Sequence, residues 1–222
     1  MHGRWNTANH PTKRFQLSHH KKIQLPKNRY IEGYRLWIRM PNWLGDVVMS
    51  LPLLKALQEA RPDAEITLIA QPAYIELLKF LGIGDAYKKI PPKNEIGYFE
   101  VFKSWKDEYP DTHLLLTNST RGDLEAKYIG APQRFGLVLP GKPRPLLTYG
   151  YKSPKEIISQ FESLHQTRLW EHMLRHFGLN TELSLSPFEI EGIKPSINKI
   201  GFIAGSSNNP EKCMPAEKWI QL

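Results

Sequence analysis

Residues 34–70 read YRLWIRMPNWLGDVVMSLPLLKALQEARPDAEITLIA. The apolar run at 34–39 predicts a β-strand, and the residues at 40–45, which include a proline and a glycine, predict a loop. Between Asp46 and Ala60 the apolar residues recur at helical spacing, and residues 65–70 form a second short apolar strand. This stretch therefore predicts a βαβ unit, whose crossover we expect to be right-handed.

The same alternation continues beyond this unit and predicts helices at 73–80, 96–106, 119–128 and 156–177, strands at 86–90, 113–116 and 134–137, and a surface loop at 139–154. Strands that alternate with helices indicate an α/β fold with a doubly wound, mostly parallel sheet of Rossmann type.

The pattern divides the chain into domains. Residues 34–184 form the first Rossmann-like domain, the two prolines within 185–198 suit an interdomain linker, and 199–222 begin a second strand–loop–helix unit. We expect this second domain to be incomplete, because a Rossmann-like half needs on the order of 100–150 residues.

Positive charge is concentrated at the N-terminus. Residues 1–35 carry eight Lys and Arg against Glu32 alone, so they hold +7 of the net charge of +8. Because residues 1–33 lack periodicity, they are predicted to be a disordered basic extension. A non-catalytic protein that binds nucleic acid or an anionic membrane surface through this tail is the alternative, although no nucleic-acid-binding motif supports it.

Cysteine usage and hydropathy point to the cytoplasm. Cys213 is the only cysteine, so no internal disulfide is possible, and no Cys/His cluster has the spacing of a zinc site. No stretch approaches the ~20 apolar residues that span a bilayer, and the N-terminus lacks the apolar core of a signal peptide. We expect a cytoplasmic protein with no metal and no cofactor.

In each predicted Rossmann-like half, one loop follows the first strand. Ligands of such sheets bind at this end of the strands. In the first, the helix dipole favours negative charge on Asp46, which makes it a candidate general base or, alternatively, an ordinary helix cap. In the second, Ser206, Ser207 and Lys212 suit a diphosphate, or else belong to an ordinary loop with a surface lysine. Neither loop carries G-x-G-x-x-G or a Walker motif, so ordinary dinucleotide or nucleoside-triphosphate binding lacks its signature.

Four segments of the chain form a recognisable set: Asn42-Trp43-Leu44-Gly45-Asp46 with the Val47–Pro52 that follows, Thr117-Asn118-Ser119, a G-x-P-x-R-x-G turn at Gly130–Gly136, and the loop Gly205–Pro215, which contains Lys212. Together they resemble glycosyltransferase family 9, with Lys212 on the family's lysine, and the similarity, which begins near Leu36, is greatest to its ADP-heptose:lipopolysaccharide heptosyltransferase II group. Met214 departs from the pattern, because that family usually has Trp there, and residues before Tyr34 lie outside it.

This resemblance implies the two-Rossmann (GT-B) architecture with the active site between the halves. It further implies inverting, metal-free transfer of heptose from ADP-heptose to the inner core of lipopolysaccharide. Asp46 is then the general base, while Ser206, Ser207 and Lys212 stabilise the departing diphosphate. A glycosyltransferase of the same fold with another nucleotide-sugar donor is the alternative. Peripheral contact with the inner membrane is compatible with this function, and we expect no transferase activity from the 222 residues alone.

The implied acceptor is multiply anionic, so the first domain should offer cations and polar groups. Trp43 is either an acceptor contact or a loop anchor, and His113, in an apolar strand, is predicted to be a core histidine with its hydrogen bonds satisfied. The acceptor-binding candidates are Trp43, Asn118, Ser119, Arg121, Arg134, His165 and Arg168; Lys127, Lys142 and Arg144 are further cations, and a solvated surface charge is the alternative for each cation.

Overall fold

The computed structural model describes residues 34–153, 165–180, 182–185, 211 and 213–220. The chain divides into two compact units, Met1–Ser186 and Pro187–Leu222. The predicted basic extension, nearly all of the predicted linker, and Ser206, Ser207 and Lys212 lie outside the described residues.

The elements of the first unit are β1 Arg35–Arg39, α1 Leu44–Ala60, β2 Glu65–Ala70, α2 Pro72–Phe80, β3 Ala86–Lys89, α3 Tyr98–Ser104, a 3₁₀ turn Trp105–Glu108, β4 Thr112–Leu115, α4 Thr120–Ile129, β5 Gln133–Val138, β6 Tyr149–Lys152 and α5 Gln166–His176; the second unit contains α6 Ala216–Trp219. The six strands form a parallel sheet in the order β3-β2-β1-β4-β5-β6, and a helix connects each pair of successive strands from β1 to β5. This is the order of a doubly wound Rossmann-like fold, so the predicted fold class is confirmed.

The helix α1 begins two residues earlier than the sequence predicts. Trp43 is the N-cap, and Leu44 and Gly45, predicted to lie in the loop, are already helical. Pro52 lies inside the helix without ending it, although it supplies no backbone N–H. The earlier start places Asp46 in the first helical turn rather than at the cap, which matters for the site described below.

A sixth strand lies within the segment predicted to be a surface loop. β6 extends the sheet beside β5, with Gly136 opposite Gly150, and the ring of Tyr149 stacks on Phe135 at 4.8 Å between centroids. The flanking Pro, Gly and Lys residues indicate a loop, and the alternating Tyr149 and Tyr151 are the signal that this prediction missed.

The predicted long helix at 156–177 is wrong at its start. His165 has extended backbone angles (φ −59°, ψ 136°) and caps α5 by accepting a hydrogen bond from the Thr167 N–H to its Nδ1, at 3.3 Å. Residues 154–164 lie outside the described part of the chain. At the other end, the helix stops close to the predicted residue 177, and Gly178 adopts a left-handed φ of 101° just beyond it.

His113 is buried in the centre of the sheet, between Trp37 of β1 and Arg134 of β5. Neither of its ring nitrogens has a hydrogen-bond partner among the described residues, so the prediction of satisfied hydrogen bonds is wrong. Burial, followed by the charges of Arg39 and Arg134, lowers the pKa of His113 from 6.5 to about 3. The imidazole is therefore neutral in the folded protein at any pH near neutrality.

This lowered pKa predicts a pH-dependent stability. Below pH 6.5 the unfolded chain protonates His113 and the folded chain does not until about pH 3, so stability is full above 6.5 and falls as the pH drops. We expect His113→Leu to raise the free energy of unfolding at pH 5 by about 2 kcal/mol relative to its effect at pH 8. Urea unfolding at the two pH values measures it, with the exposed His172→Gln as control. Equal effects of His113→Leu at both pH values would contradict the prediction.

Candidate active site

The carboxyl end of the sheet contains a topological switch point between its two central strands. β1 and β4 are neighbours, but the chain continues from β1 toward β2 and from β4 toward β5. Two segments leave these strands, the β1 loop (residues 40–43) and the β4 loop (residues 116–119). Crevices of this kind are where open α/β sheets bind their ligands.

Asp46 lies at this edge in the first turn of α1, where the helix dipole favours a negative charge. The residue is half-buried, and its carboxylate makes no hydrogen bond or ion pair with any residue that the structure describes. No side chain caps α1, so Asp46 is not the cap that the sequence left as its alternative. A carboxylate without a structural partner at a ligand-binding edge is suited to accept a proton.

Trp43 precedes the helix and is 62% exposed, so its indole does not anchor the β1 loop in the core. Leu44 and Val48 are exposed beside it. The backbone of the loop is held instead by Tyr74, whose hydroxyl donates to the Asn42 carbonyl at 3.2 Å. The indole of Trp43 is therefore at the surface, and its contact with an acceptor stays a prediction.

Beneath the β1 loop is a buried network centred on Arg39, the last residue of β1. Its Nε donates to Glu125 Oε2 at 2.6 Å, and both side chains are almost fully buried. Its Nη1 donates to the Met40 carbonyl at 2.6 Å and its Nη2 to Asn42 Oδ1 at 3.0 Å. The guanidinium therefore joins β1, α4 and the β1 loop.

Tyr98 and Arg121 extend this network toward the surface. The Tyr98 hydroxyl donates to the second oxygen of Glu125, and burial, followed by that hydrogen bond, raises the pKa of Tyr98. The guanidinium of Arg121, in the first turn of α4, lies 5.4 Å from the centroid of the Tyr98 ring. Arg121 is exposed, so it presents a cation at the carboxyl edge.

A second buried arginine supports the β4 loop. Arg144 is not the surface cation that the sequence suggests, because it is buried and its Nε contacts both oxygens of Asp123 at 3.1 and 3.2 Å. Its Nη1 donates to Asn118 Oδ1 at 3.1 Å and to the Leu137 carbonyl at 2.8 Å. Ser119 follows as the N-cap of α4 and accepts a hydrogen bond from the Gly122 N–H.

Three other predicted residues belong to β5 and α5 rather than to the β1 and β4 loops. Arg134 is at the amino end of β5, where it donates to the carbonyls of Leu146 and Ala131, so the structure does not bring it to the carboxyl edge. His165 and Arg168 lie at the start of α5, which is held against α1 by a 2.9 Å hydrogen bond from the Thr167 hydroxyl to the Met49 carbonyl. Arg168 pairs with Glu171 at 2.6 Å.

The edge therefore combines a carboxylate without a partner, two asparagines and an exposed arginine: Asp46, Asn42, Asn118 and Arg121. Asn42 is the member of this set that the sequence did not select as a site residue. Within the described ranges, no group of His, Cys, Asp and Glu side chains could hold a metal ion. None of the helices described is long and apolar enough to cross a membrane.

Comparisons with known proteins bear on this site. Lipopolysaccharide heptosyltransferase 2 of Escherichia coli strain K12 is 25% identical over 208 residues, which are 82% of this chain and 57% of that protein. The chain thus spans less than two thirds of the length of this curated relative. No protein-family model matches the chain.

Two solved structures share the fold. A glycosyl transferase family 9 protein from Veillonella parvula DSM 2008 is 21% identical, with a TM-score of 0.67 over 87% of this chain and 60% of that one. The E. coli heptosyltransferase WaaC with ADP is 12% identical, with a TM-score of 0.50 over 71% of this chain and 50% of that one. The comparisons therefore confirm the resemblance that the four motifs indicate: this chain is similar, in sequence and in fold, to the heptosyltransferases of glycosyltransferase family 9.

Proposed function

We propose that this chain provides the acceptor-binding half of a glycosyltransferase that moves heptose from ADP-heptose to the inner core of lipopolysaccharide with inversion. In this reaction an acceptor hydroxyl attacks the anomeric carbon, its proton passes to Asp46, and ADP departs. The bond to the sugar forms as the bond to the diphosphate breaks, so the charge that develops on ADP must be stabilised opposite Asp46.

The proposal rests on the observation that the Asp46 carboxylate has no hydrogen-bond or ion-pair partner among the described residues. A half-buried carboxylate in the first turn of α1 makes no contact with a cation or N–H group of the described residues. Two other acids near this edge, Asp123 and Glu125, are both committed to buried arginines. Asp46 is therefore the acid of these three that can take a proton from a bound hydroxyl.

The remaining roles are distributed as the resemblance implies. Residues 34–184 bind the acceptor through Trp43, Asn118, Ser119, Arg121, His165 and Arg168, while 199–222 begin the nucleotide-sugar side beyond the linker at 185–198. Ser206, Ser207 and Lys212, outside the described residues, face the diphosphate in this scheme. The proposal places this reaction in the cytoplasm, with peripheral contact to the inner membrane.

The test is ADP release from ADP-heptose with a deep-rough lipopolysaccharide acceptor. It is run with the chain alone and with a chimera in which this chain replaces the matched stretch of the E. coli relative. ADP release by the chimera that requires the acceptor supports the proposal. Because most of the nucleotide-sugar half of the chimera comes from the relative, ADP-heptose is the donor supplied. Absence of acceptor-dependent ADP release by the chimera would contradict the proposal.

Gly45 offers a second test that separates folding from function. A Cβ built on Gly45 meets nothing within 4 Å, and its helical backbone suits alanine, so Gly45→Ala should stabilise the fold by up to about 1 kcal/mol. We expect the same change to lower acceptor-dependent ADP release at least tenfold, because the methyl group enters the space beside Asp46. Unchanged activity would show that no substrate approaches this backbone.

Gly122→Ala is the matched comparison for stability. A Cβ there would lie 2.5 Å from Thr117 Oγ1 and 3.3 Å from Ser119 Oγ. This substitution should therefore lower the unfolding midpoint, whereas Gly45→Ala should raise it.

A further inference from the structure

We infer that Asn42 and Asn118 are a pair of hydrogen-bond donors that determine acceptor specificity, and that buried Arg39 and Arg144 orient them. This inference rests on the proposed function and names residues that bind its acceptor. It assigns Asn42 a contact with the acceptor, and it assigns the two arginines a positioning role.

The orientation of the Asn42 amide follows from the chemistry of its partner. Arg39 Nη2 lies 3.0 Å from Asn42 Oδ1, and a guanidinium has donors only. An amide turned the other way would place N–H groups against N–H groups. The Asn42 oxygen must therefore face inward, and its NH₂ group, which has no partner among the residues described, faces the half-exposed side of the loop.

Asn118 is held in the same way across the switch point. Arg144 Nη1 lies 3.1 Å from Asn118 Oδ1, which again leaves the NH₂ group of an exposed side chain directed outward. Asn42 belongs to the β1 loop and Asn118 to the β4 loop, so the two amides flank one crevice. Each loop thus presents two N–H donors and no side-chain carbonyl at these positions.

Both arginines take their counter-ions from α4. Glu125 binds Arg39 and Asp123 binds Arg144, so one helix fixes the guanidinium groups beneath both loops. Buried ion pairs of this kind contribute little net stability, because desolvation of the charges offsets their attraction. A role in holding the two amides in a fixed orientation explains why these buried ion pairs are present despite their desolvation cost.

The donors define the chemistry of the ligand. Amide N–H groups on both loops, with the exposed Arg121 cation in the first turn of α4, favour a group that offers only acceptor oxygens and a negative charge. For an inner-core saccharide that group is a sugar carboxylate or a phosphate. A sugar with hydroxyl groups alone would satisfy the amides but not Arg121.

The experiment measures binding of a soluble, delipidated inner-core oligosaccharide to the 222-residue chain by calorimetry. Asn42→Asp and Asn118→Asp keep the oxygen that faces each arginine and remove the donors, so each should weaken binding at least tenfold without lowering the unfolding midpoint. Asn180→Asp, an exposed site just beyond α5, makes the same charge change and should bind like wild type. Carboxyl-reduced and dephosphorylated oligosaccharides identify which anion is recognised.

A second readout follows the amides directly. In ¹⁵N spectra, the side-chain NH₂ signals of Asn42 and Asn118, identified by their loss in the two variants, should shift when the oligosaccharide binds. Wild-type affinity in Asn42→Asp, or NH₂ signals that stay fixed at saturation, would overturn the inference and leave the proposed function standing. Failure of the wild-type chain to bind the oligosaccharide would overturn the proposed acceptor and the inference with it.

Discussion

Asp46→Ala should lower acceptor-dependent ADP release by the chimera by roughly 10²- to 10⁴-fold, the range that a general base contributes. The carboxylate has no structural partner among the described residues, so its removal should leave the fold intact. Donor binding should also persist, because the proposed diphosphate contacts lie on Ser206, Ser207 and Lys212. The measurement is kcat with saturating substrates, with the donor Kd from a separate titration.

Two further variants make this result specific. Asp46→Asn keeps the shape and removes the base, so it should be about as inactive as Asp46→Ala. Glu59→Ala removes an exposed acid in the last turn of the same helix and should leave turnover within about twofold of wild type. Near-normal turnover in Asp46→Asn would show that another group takes the proton.

The order of elements could be predicted from the sequence because it follows from the hydrophobic periodicity and from the positions of Gly and Pro. Apolar runs of strand length alternate with helical spacing from Arg35 to Ile129, and the helices end near Gly or Pro. β6 was missed because an edge strand of four residues needs only one partner, β5, and its apolar content is small. The start of α5 was missed because its cap is a histidine side chain, which has no strong propensity signature.

The candidate site was predictable only in part. Asp46 could be selected from local signals, its position after a strand and at the start of a helix. The pairing of Arg39 with Glu125 joins residues 86 positions apart, and no local pattern reveals it. For the same reason Arg144 resembled a free surface cation, since charge counting does not show that Asp123 neutralises it.

Arg39→Met should destabilise the protein by about 3–5 kcal/mol, because it leaves the Glu125 carboxylate buried without its cation. Urea unfolding of the 222-residue chain measures this loss. The loss alone does not separate a structural role from the positioning role, since an unfolded chain binds nothing. The decisive variant therefore restores stability without restoring the guanidinium.

The triple variant Arg39→Met/Glu125→Leu/Tyr98→Phe replaces the buried network with apolar groups, and removing Tyr98's hydroxyl avoids an unsatisfied donor. Such replacements are often neutral or stabilising, so the unfolding midpoint should return to near the wild-type value. Oligosaccharide binding should stay at least tenfold weaker, because nothing then fixes the Asn42 amide. Recovery of both stability and affinity would mean that Arg39 serves the fold alone. Recovery of stability without affinity would show that this ion pair serves to orient the half-buried Asn42 amide.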